Sequence, residues 1–240
     1  MRKLRRFLRF SSIVRLSEFR KCMDNSIKKY WEQRLEKCKK SLERNNFSAY
    51  LANDRKDAKR IVMKDILPEI RVKSVSWGDS LTFYATGILD EMLRNPDINV
   101  LETFAENVPR EEIIERRRQA LLTDLFFTGS NAVTETGKLV NLDMIGNRTG
   151  AITFGPLNVI IVAGRNKIVS DVEAAMRRIK SYAAPANAIR HSSLKTPCMK
   201  TSCCMDCRSP DRICNTWTIT EKSFPKGRIR IVLINEDLGL

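Results

Sequence analysis

The sequence predicts an α/β fold in which the strands of one sheet alternate with helices. Short apolar runs rich in β-branched and aromatic residues end at glycine or polar residues, which is typical of buried strands. The clearest are Leu125–Phe127, Asn158–Ala163 and Arg228–Ile234. Amphipathic segments with helical spacing separate such runs, and this alternation favours a sheet with right-handed crossovers. With 240 residues and no internal repeat, the chain can bury one large core.

The first elements of the chain are predicted to be scaffold. An amphipathic helix is expected over residues 25–44, followed by a strand at residues 47–51 and a helix that Asp54 caps and that stops before Pro68. The inward face of the first helix is predicted to consist of Ile27, Tyr30, Trp31, Leu35, Cys38 and Leu42.

A strand at residues 73–77 runs into the turn Gly78-Asp79-Ser80, which opens a helix over residues 81–92. Two interpretations of this turn stay open. A strand, a glycine turn and a capped helix can hold an anion on free backbone N–H groups, or the turn is a plain capped connection. A further strand at residues 98–101 leads to a helix that Pro109 opens, and its Arg116-Arg117-Arg118 triplet is interpreted as a solvated face, with a binding role as the alternative.

The stretch between the strands at residues 125–127 and 158–163 is rich in glycine and small polar residues, and we interpret it as the ligand loop. Loops at the carboxyl ends of strands are where open α/β sheets bind ligands. Together with Gly78, Asp79 and Ser80, the predicted ligand-binding residues are Gly129, Ser130, Asn131, Glu135, Thr136, Gly137, Asn141, Asp143, Asn147 and Arg148.

Glu135 and Arg148 are the candidates for chemistry in this loop. A carboxylate held like Glu135 can act as a general base or as a nucleophile toward an acyl group, or it can simply pin the loop by accepting backbone hydrogen bonds. The planar guanidinium of Arg148 can donate two parallel hydrogen bonds to a carboxylate or phosphate. The sequence therefore predicts a site for a small anionic or phosphorylated ligand, with Glu135 as the candidate catalytic residue. Replacing Glu135 by Gln is expected to abolish ligand binding or turnover.

Five of the seven cysteines lie close together near the C-terminal end of the chain, in residues 196–215. A cluster without a secretory signal peptide favours a metal site in a reducing, cytoplasmic compartment over a disulfide framework. The predicted ligands are Cys198, Cys204, Cys207 and Cys214, with Cys203 as an alternative. Four thiolates suit either Zn²⁺ or an iron–sulfur cluster, and both stay open. The single histidine, His191, is interpreted as a polar loop residue, with a fifth-ligand or proton-donor role as the alternative.

The net charge of +15 is unevenly distributed. Residues 1–22 hold eight Arg and Lys residues against one Glu, and are interpreted as an extension outside the native domain or as a targeting or membrane-surface helix. Since this segment accounts for much of the positive charge, and aromatic residues make up only 7% of the chain, nucleic-acid binding is not expected. No apolar segment is long enough to span a membrane.

Three short segments of the chain resemble the LUD-domain proteins, the lactate-utilisation proteins of the LutC/YkgG type. They are Glu135-Thr-Gly-Lys-Leu-Val-Asn-Leu-Asp143, Gly146-Asn-Arg148 and Phe154-Gly-Pro156. The resemblance covers about residues 27–240 and implies that a domain over residues 23–240 has the Rossmann-type fold of the NagB/RpiA/CoA-transferase-like proteins. It also implies a role in the oxidation of lactate to pyruvate, as one subunit of an iron–sulfur oxidoreductase system with other lactate-utilisation subunits.

Other functions stay open at this point. Relatives in the implied fold class include CoA-, acyl- and nucleotide-using enzymes, for which Glu135 and Arg148 would form the site. A zinc-stabilised binding protein without catalysis is a further alternative, and a homo-oligomer is compatible with each. The chain lacks a Gly-x-Gly-x-x-Gly segment near its N-terminal end, so tight dinucleotide binding is not expected.

Overall fold

A parallel sheet of six strands forms the centre of the computed structural model, which describes residues 25–240. Its strands are β1 (Ser48–Ala52), β2 (Ser74–Trp77), β3 (Asn99–Val100), β4 (Leu125–Gly129), β7 (Asn158–Gly164) and β10 (Ile229–Ile234). They lie side by side in the order β1-β10-β7-β4-β2-β3, so the last strand of the chain is inserted between the first and the seventh. In register, Ile231 of β10 pairs with Ala49 of β1 and Ile161 of β7. The predicted α/β class is confirmed.

A second, smaller sheet contains β5 (Ala132–Thr134), β6 (Leu139–Asp143), β8 (Ile168–Val169) and β9 (Thr216–Thr220), in the order β8-β5-β6-β9. The pairs β5–β6 and β6–β9 are antiparallel, whereas β5–β8 is parallel. The interpretation of residues 128–157 as a loop was therefore wrong for β5 and β6. These strands are short and carry buried polar residues such as Thr134 and Asn141, so the sequence lacks an apolar run there.

Helices pack on both faces of the central sheet. They are α1 (residues 25–44), α2 (Arg55–Arg60), α3 (Leu81–Thr86), α4 (Ile88–Arg94), α5 (Arg110–Gln119), α6 (Asn147–Thr153), α7 (Val172–Arg178), α8 (Ala184–Arg190) and α9 (Cys198–Thr201). A π-helix at Ile61–Ile66 and a 3-10 helix at Leu67–Glu69 extend α2. Another π-helix, at Ile179–Ala183, joins α7 to α8. Asp54 caps α2 as predicted, accepting a hydrogen bond of 2.8 Å from the Asp57 backbone N–H.

Alternate residues of the central strands build two apolar layers, because successive side chains of a strand point to opposite faces. On β7, Ile160 packs in the layer under α2 and α3, whereas Ile161 packs in the layer under α1. Phe127 of β4 stacks on Phe83 of α3 with ring centroids 4.9 Å apart. Fully buried strands on both faces explain why β4 and β7 are apolar without interruption.

The structure differs from the predicted helices in two places. Ile27 and Tyr30 are about half exposed, since only the part of α1 from Leu35 onward lies against the sheet. The helix predicted over residues 81–92 breaks at Gly87, whose φ of 67° is left-handed and separates α3 from α4. Within residues 25–240, no helix has the length and apolar character needed to cross a bilayer. The extension predicted at residues 1–22 lies outside the described residues.

Candidate functional site

A cavity of about 770 Å³ lies where strands of the central sheet reach their carboxyl ends. The turn after β2, the end of β4 and the 3-10 turn after β7 all contribute to its wall. Of the predicted ligand-binding residues, the structure brings eight to this cavity, and they are Asp79, Ser80, Gly129, Ser130, Asn131, Asp143, Asn147 and Arg148. The site thus has the position that open α/β sheets use for ligands.

Arg148 is held in place at the cavity wall by polar groups of the small sheet. Its Nη2 donates to Asn131 Oδ1 at 2.8 Å and to the Leu142 carbonyl at 3.1 Å. Asn131 is itself fixed, because its Oδ1 accepts from Leu142 N at 3.0 Å and its backbone N–H donates to Asn141 Oδ1 at 3.0 Å. Arg148 Nε lies 3.8 Å from Asp143 Oδ2. Asn141 is fully buried and supports the wall from behind instead of lining the cavity.

Two glycines allow the strand ends to approach each other at this wall. A Cβ added to Gly129 would lie 2.5 Å from Ser80 Oγ, and one added to Gly78 would lie 3.1 Å from Arg148 Cγ. Ser80 Oγ accepts a hydrogen bond of 3.2 Å from Phe83 N as the cap of the six-residue helix α3. Of the two interpretations of this turn, the capped connection describes Ser80, and Gly78 serves the packing of Arg148.

Two basic side chains in the cavity wall form no hydrogen bond or ion pair among residues 25–240. The Nε of Arg117, on α5, is buried without a hydrogen bond, and its guanidinium lies 5.1 Å from the centroid of the Phe104 ring. Lys167 is only 6% exposed and forms neither a hydrogen bond nor an ion pair in this part of the chain. Burial, with a smaller contribution from Arg178 and Arg148, lowers the pKa of Lys167 to about 7. A buried guanidinium without a hydrogen-bond partner is costly, so Arg117 is expected where a ligand supplies the counter-charge, whereas Lys167 avoids the cost by giving up its proton more easily.

Asp79, Arg190 and His191 form a polar group at the rim of the cavity. Arg190 Nη2 contacts Asp79 Oδ2, and His191 Nε2 lies 3.8 Å from the same oxygen. Burial first, and Arg190 second, lower the pKa of His191, although Asp79 opposes them. Arg190 Nη2 also donates a hydrogen bond of 3.2 Å to His191 Nε2, which favours the neutral imidazole.

Glu135 lies outside this cavity and binds helix α1. Arg34 Nε donates to its Oε1 at 2.8 Å, and Lys37 Nζ donates to its Oε2 at 2.9 Å. Burial alone would raise the pKa of Glu135, but the hydrogen bonds from Lys37 and Arg34 outweigh it and hold the pKa below its ordinary value. Both carboxylate oxygens are thus occupied by side chains of α1, a structural contact that differs from the backbone hydrogen bonds predicted for Glu135.

The turn that follows Glu135 docks on the same helix. Asn45 Nδ2 donates to the carbonyl oxygens of Thr136 at 3.1 Å and Gly137 at 2.8 Å. Gly137 has a φ of 82°, and a Cβ there would lie 2.5 Å from the backbone of Ser41. Thr136 and Gly137 were predicted to bind ligand, and the structure places them against α1 instead.

Four of the clustered cysteines surround one small enclosed space of about 20 Å³. They are Cys198, Cys204, Cys207 and Cys214, the set predicted from spacing, whereas Cys203 is exposed and lies outside this space. All five are free thiols. Burial raises the pKa of Cys214, opposed by Lys180 and Arg212. As placed in residues 25–240, no group of three or more His, Cys, Asp or Glu side chains is arranged to hold a metal ion.

The cysteine space and the larger cavity share part of their walls. Ala184, Ile213 and Cys214 line both. His191, considered as a fifth ligand from its position in the sequence, lies instead on the cavity rim beside Asp79. A group bound by the cysteines would therefore be a close neighbour of a ligand in the cavity.

Comparison with known families supports the resemblance that the segments around Glu135 and Arg148 indicated. The model of the LUD domain matches residues 35–234. The chain belongs to the LUD-domain family. A solved DUF162 family protein from Deinococcus radiodurans is similar at 14% identity over 85% of this chain and 98% of that chain, with a TM-score of 0.47. No curated protein matches the sequence.

In this LUD-domain protein, sequence reasoning missed the two unpaired cations. Arg117 belongs to a triplet that was predicted to face solvent, and this was wrong for Arg117, which turns toward Phe104 and the cavity. Lys167 follows β7 in a polar turn with no signal in the sequence that it is buried. Only its position at the carboxyl end of a central strand marks it as a candidate.

Proposed function

We propose that this LUD-domain protein binds a small carboxylate, lactate or pyruvate, in its cavity, and that it takes part in lactate utilisation. The observation that carries the proposal is that Arg117 and the amine of Lys167, which form no hydrogen bond or ion pair within residues 25–240, line the wall of one cavity. A carboxylate in the cavity would give Arg117 a counter-charge, and the planar guanidinium suits a carboxylate well.

The neighbouring groups support a polar, oriented ligand. Two carboxylates in the wall have partners of their own, since Asp79 contacts Arg190 and Asp143 accepts from Met144 N at 3.0 Å and Thr149 N at 3.1 Å. Their charges act on Arg117 and oppose the lowering of its pKa by burial, but neither carboxylate forms a hydrogen bond with it. The Ser130 hydroxyl belongs to the structure of the wall, because it is buried and donates to the Ala132 carbonyl at 2.8 Å.

The residues on the rim suit the proton chemistry of lactate oxidation. Conversion of a 2-hydroxy acid to a 2-oxo acid removes two electrons and two protons. His191 Nε2 accepts a hydrogen bond of 3.2 Å from Arg190 Nη2, so it could take a proton from the ligand only by giving up that bond, with the carboxylate of Asp79 nearby to stabilise the imidazolium. The two electrons must pass to an acceptor, for which other lactate-utilisation subunits are the candidates; the cysteine cluster could serve only if it held an iron–sulfur cluster, because Zn²⁺ is not redox-active.

We further propose that Cys198, Cys204, Cys207 and Cys214 hold a metal. The donor set fits in its chemistry, because four free thiols surround one space and the cations Lys180 and Arg212 lie close enough to offset thiolate charge. A space of about 20 Å³ suits a single Zn²⁺ better than a larger iron–sulfur cluster. When bound, zinc would cross-link the loop and an iron–sulfur cluster would relay electrons.

The cysteine proposal has a matched pair of variants within the chain. Cys204→Ser is expected to lose bound metal, measured by elemental analysis of the purified protein, whereas Cys203→Ser retains it. Equal metal content in both variants, or none in the wild type after anaerobic purification, would contradict the proposal. The visible spectrum of the wild type separates iron–sulfur from zinc.

The carboxylate proposal is tested by calorimetric titration of the full chain with lactate, pyruvate and lactamide. Lactamide has the hydroxyl group of lactate but no negative charge, so it serves as the matched control ligand. We expect lactate or pyruvate to bind and lactamide to fail. Binding of lactamide as tightly as lactate, or absence of binding by both acids, would show that the cavity is not a carboxylate site.

A further inference from the structure

Lys167 is a buried lysine held on a rigid turn at the ligand cavity. Its turn, Arg165–Lys167, is fixed by Arg165 N donating to the Glu236 carbonyl at 3.0 Å. Arg178 Nε donates to the Asn166 carbonyl at 3.1 Å, and Asn166 Oδ1 accepts from Leu238 N at 3.1 Å. The backbone around the lysine is thus tied to α7 and to the segment after β10, while its amine has no partner in residues 25–240.

The surroundings keep this amine from holding a proton. The electrostatic neighbours that lower its pKa are both cations, Arg178 and Arg148, and burial acts in the same direction. Arg148 is engaged with Asn131 Oδ1, and Arg178 Nη1 donates to the Asn131 carbonyl at 2.8 Å, so both guanidinium groups stay in place. A lysine that is desolvated and close to other cations is an activated amine nucleophile.

We propose that Lys167 captures a short 2-oxo acid by forming an imine between its Nζ and the carbonyl carbon. The proposal rests on the carboxylate site proposed above, because Lys167 and Arg117 line the same cavity. If Lys167 served only to balance charge, a ligand with a carboxylate alone would be enough. An unpaired nucleophilic amine beside an acid site instead selects a molecule that also carries a carbonyl group.

The step balances without an oxidant or a reductant. The lone pair of Nζ attacks the carbonyl carbon, a C–N bond forms, and the carbonyl oxygen takes up a proton to give a carbinolamine. Loss of the hydroxyl group as water then gives the imine, so one amine and one 2-oxo acid yield one imine and one water. The nearby guanidinium groups of Arg148 and Arg178 disfavour protonation of the free amine and so keep it reactive.

Reductive trapping tests this directly. The full chain is incubated with pyruvate and sodium cyanoborohydride, which adds hydride to an imine and fixes the acid on the amine, and labelled lysines are located by peptide mass spectrometry. We expect stoichiometric label at Lys167, with no label at that position in Lys167→Arg and undiminished label at Lys167 in Lys64→Met. Lys64 is exposed and therefore a matched control. Lys167→Met, which removes the amine at similar length, guards against misfolding of the Arg variant.

A parallel calorimetric titration without reductant separates failure of the imine from failure of the carboxylate site. Pyruvate binding without label at Lys167 would overturn the imine and leave the carboxylate site standing. Absence of both binding and label would overturn both. Label spread over surface lysines at equal yield, including in Lys167→Met, would also overturn the proposal.

Discussion

The turn at Glu135 and the cavity at Lys167 are both polar, yet they differ in whether their charges are satisfied. Glu135 has both oxygens bound by Arg34 and Lys37, and its side chain is 17% exposed. Lys167 and the Nε of Arg117 are buried without a partner in the described chain. The turn at Glu135 connects α1 to the small sheet, whereas the cavity at Lys167 has room for a ligand.

This contrast shows that a polar segment is a functional candidate when its groups remain unsatisfied, and a structural one when they are paired. Buried polar groups are normally bonded, so exceptions need an explanation. Near Glu135 the helix supplies the bonds, whereas in the cavity about 770 Å³ of space faces the unpaired cations. Variants near Glu135 should therefore change the stability of the fold, whereas variants in the cavity should change ligand binding.

Replacing Gly137 by Ala is expected to have the largest effect on stability. The φ of 82° disfavours any side chain, and the new Cβ would lie 2.5 Å from the Ser41 backbone, which cannot move without shifting α1. We expect a loss of about 3 kcal/mol or more in the free energy of unfolding. Gly150→Ala is the control, because its nearest neighbour, the Leu121 side chain, lies 3.8 Å away. Equal stability of both variants in urea titrations would contradict the close packing of this turn against α1.

Replacing Arg117 by Met is expected to weaken pyruvate binding while leaving stability unchanged or higher. The guanidinium would lose charge-assisted hydrogen bonds to the carboxylate, for a loss of about 2 kcal/mol, or about thirtyfold in affinity. Removing a buried, unbonded Nε also removes a desolvation cost. Calorimetry measures the affinity, and Arg118→Met, at a side chain that is 77% exposed, provides the control. Similar affinities in the two variants would show that Arg117 does not contact the acid.

Replacing Lys167 by Met should flatten the dependence of stability on pH in the alkaline range. The pKa of Lys167 is about 7 in the folded chain and lies near 10.4 in an unfolded one, so between these values the unfolded state binds more protons. Wild-type stability should therefore rise with pH there, by up to about 1.4 kcal/mol per unit, as far as this residue contributes. Urea titrations at several pH values measure the slope. An unchanged slope in Lys167→Met would contradict a neutral, buried amine.

Replacing Glu135 by Gln is expected to have the smallest effect, and on stability alone. Its lowered pKa means that the ion pair stabilises the fold above the unfolded pKa near 4.3, and that this contribution is lost as pH falls through the folded value. At pH 7 we expect a loss of about 1 kcal/mol with pyruvate affinity intact. Glu221→Gln, which changes an exposed pair with Lys138, should have almost no effect. Loss of binding in Glu135→Gln would restore the catalytic prediction for this residue.

The sequence predicted the central sheet well because its buried strands are apolar throughout. The composition of residues 125–127 and 158–163 was enough to identify them as strands. The position of Asp54 before a helix was enough to identify it as the helix cap. The small sheet was missed because β5 and β6 are short and bury polar groups whose partners lie elsewhere in the chain. The Thr134 carbonyl, for example, accepts from Cys38 Sγ of α1 at 3.5 Å, a contact across 96 positions that local propensity cannot reveal.

The site was predicted in part, for a related reason. Residues that follow strands, such as Asp79 and Asn131, were found because strand ends converge at one edge of a parallel sheet. The role of Glu135 depends on Arg34, 101 positions away, and the exposure of Arg117 depends on which face of α5 turns inward. Such features are set by tertiary packing, and no local pattern near either residue indicates them.

The most direct test of the contrast is the pyruvate-induced shift in melting temperature of Glu135→Gln and Arg117→Met, measured side by side with the wild type. We predict that Glu135→Gln melts lower but keeps the wild-type rise, roughly 5–10 °C at a hundredfold excess over Kd, whereas Arg117→Met melts no lower and loses most of the rise. The reverse pattern, with the rise lost in Glu135→Gln and kept in Arg117→Met, would contradict the assignment of these two regions.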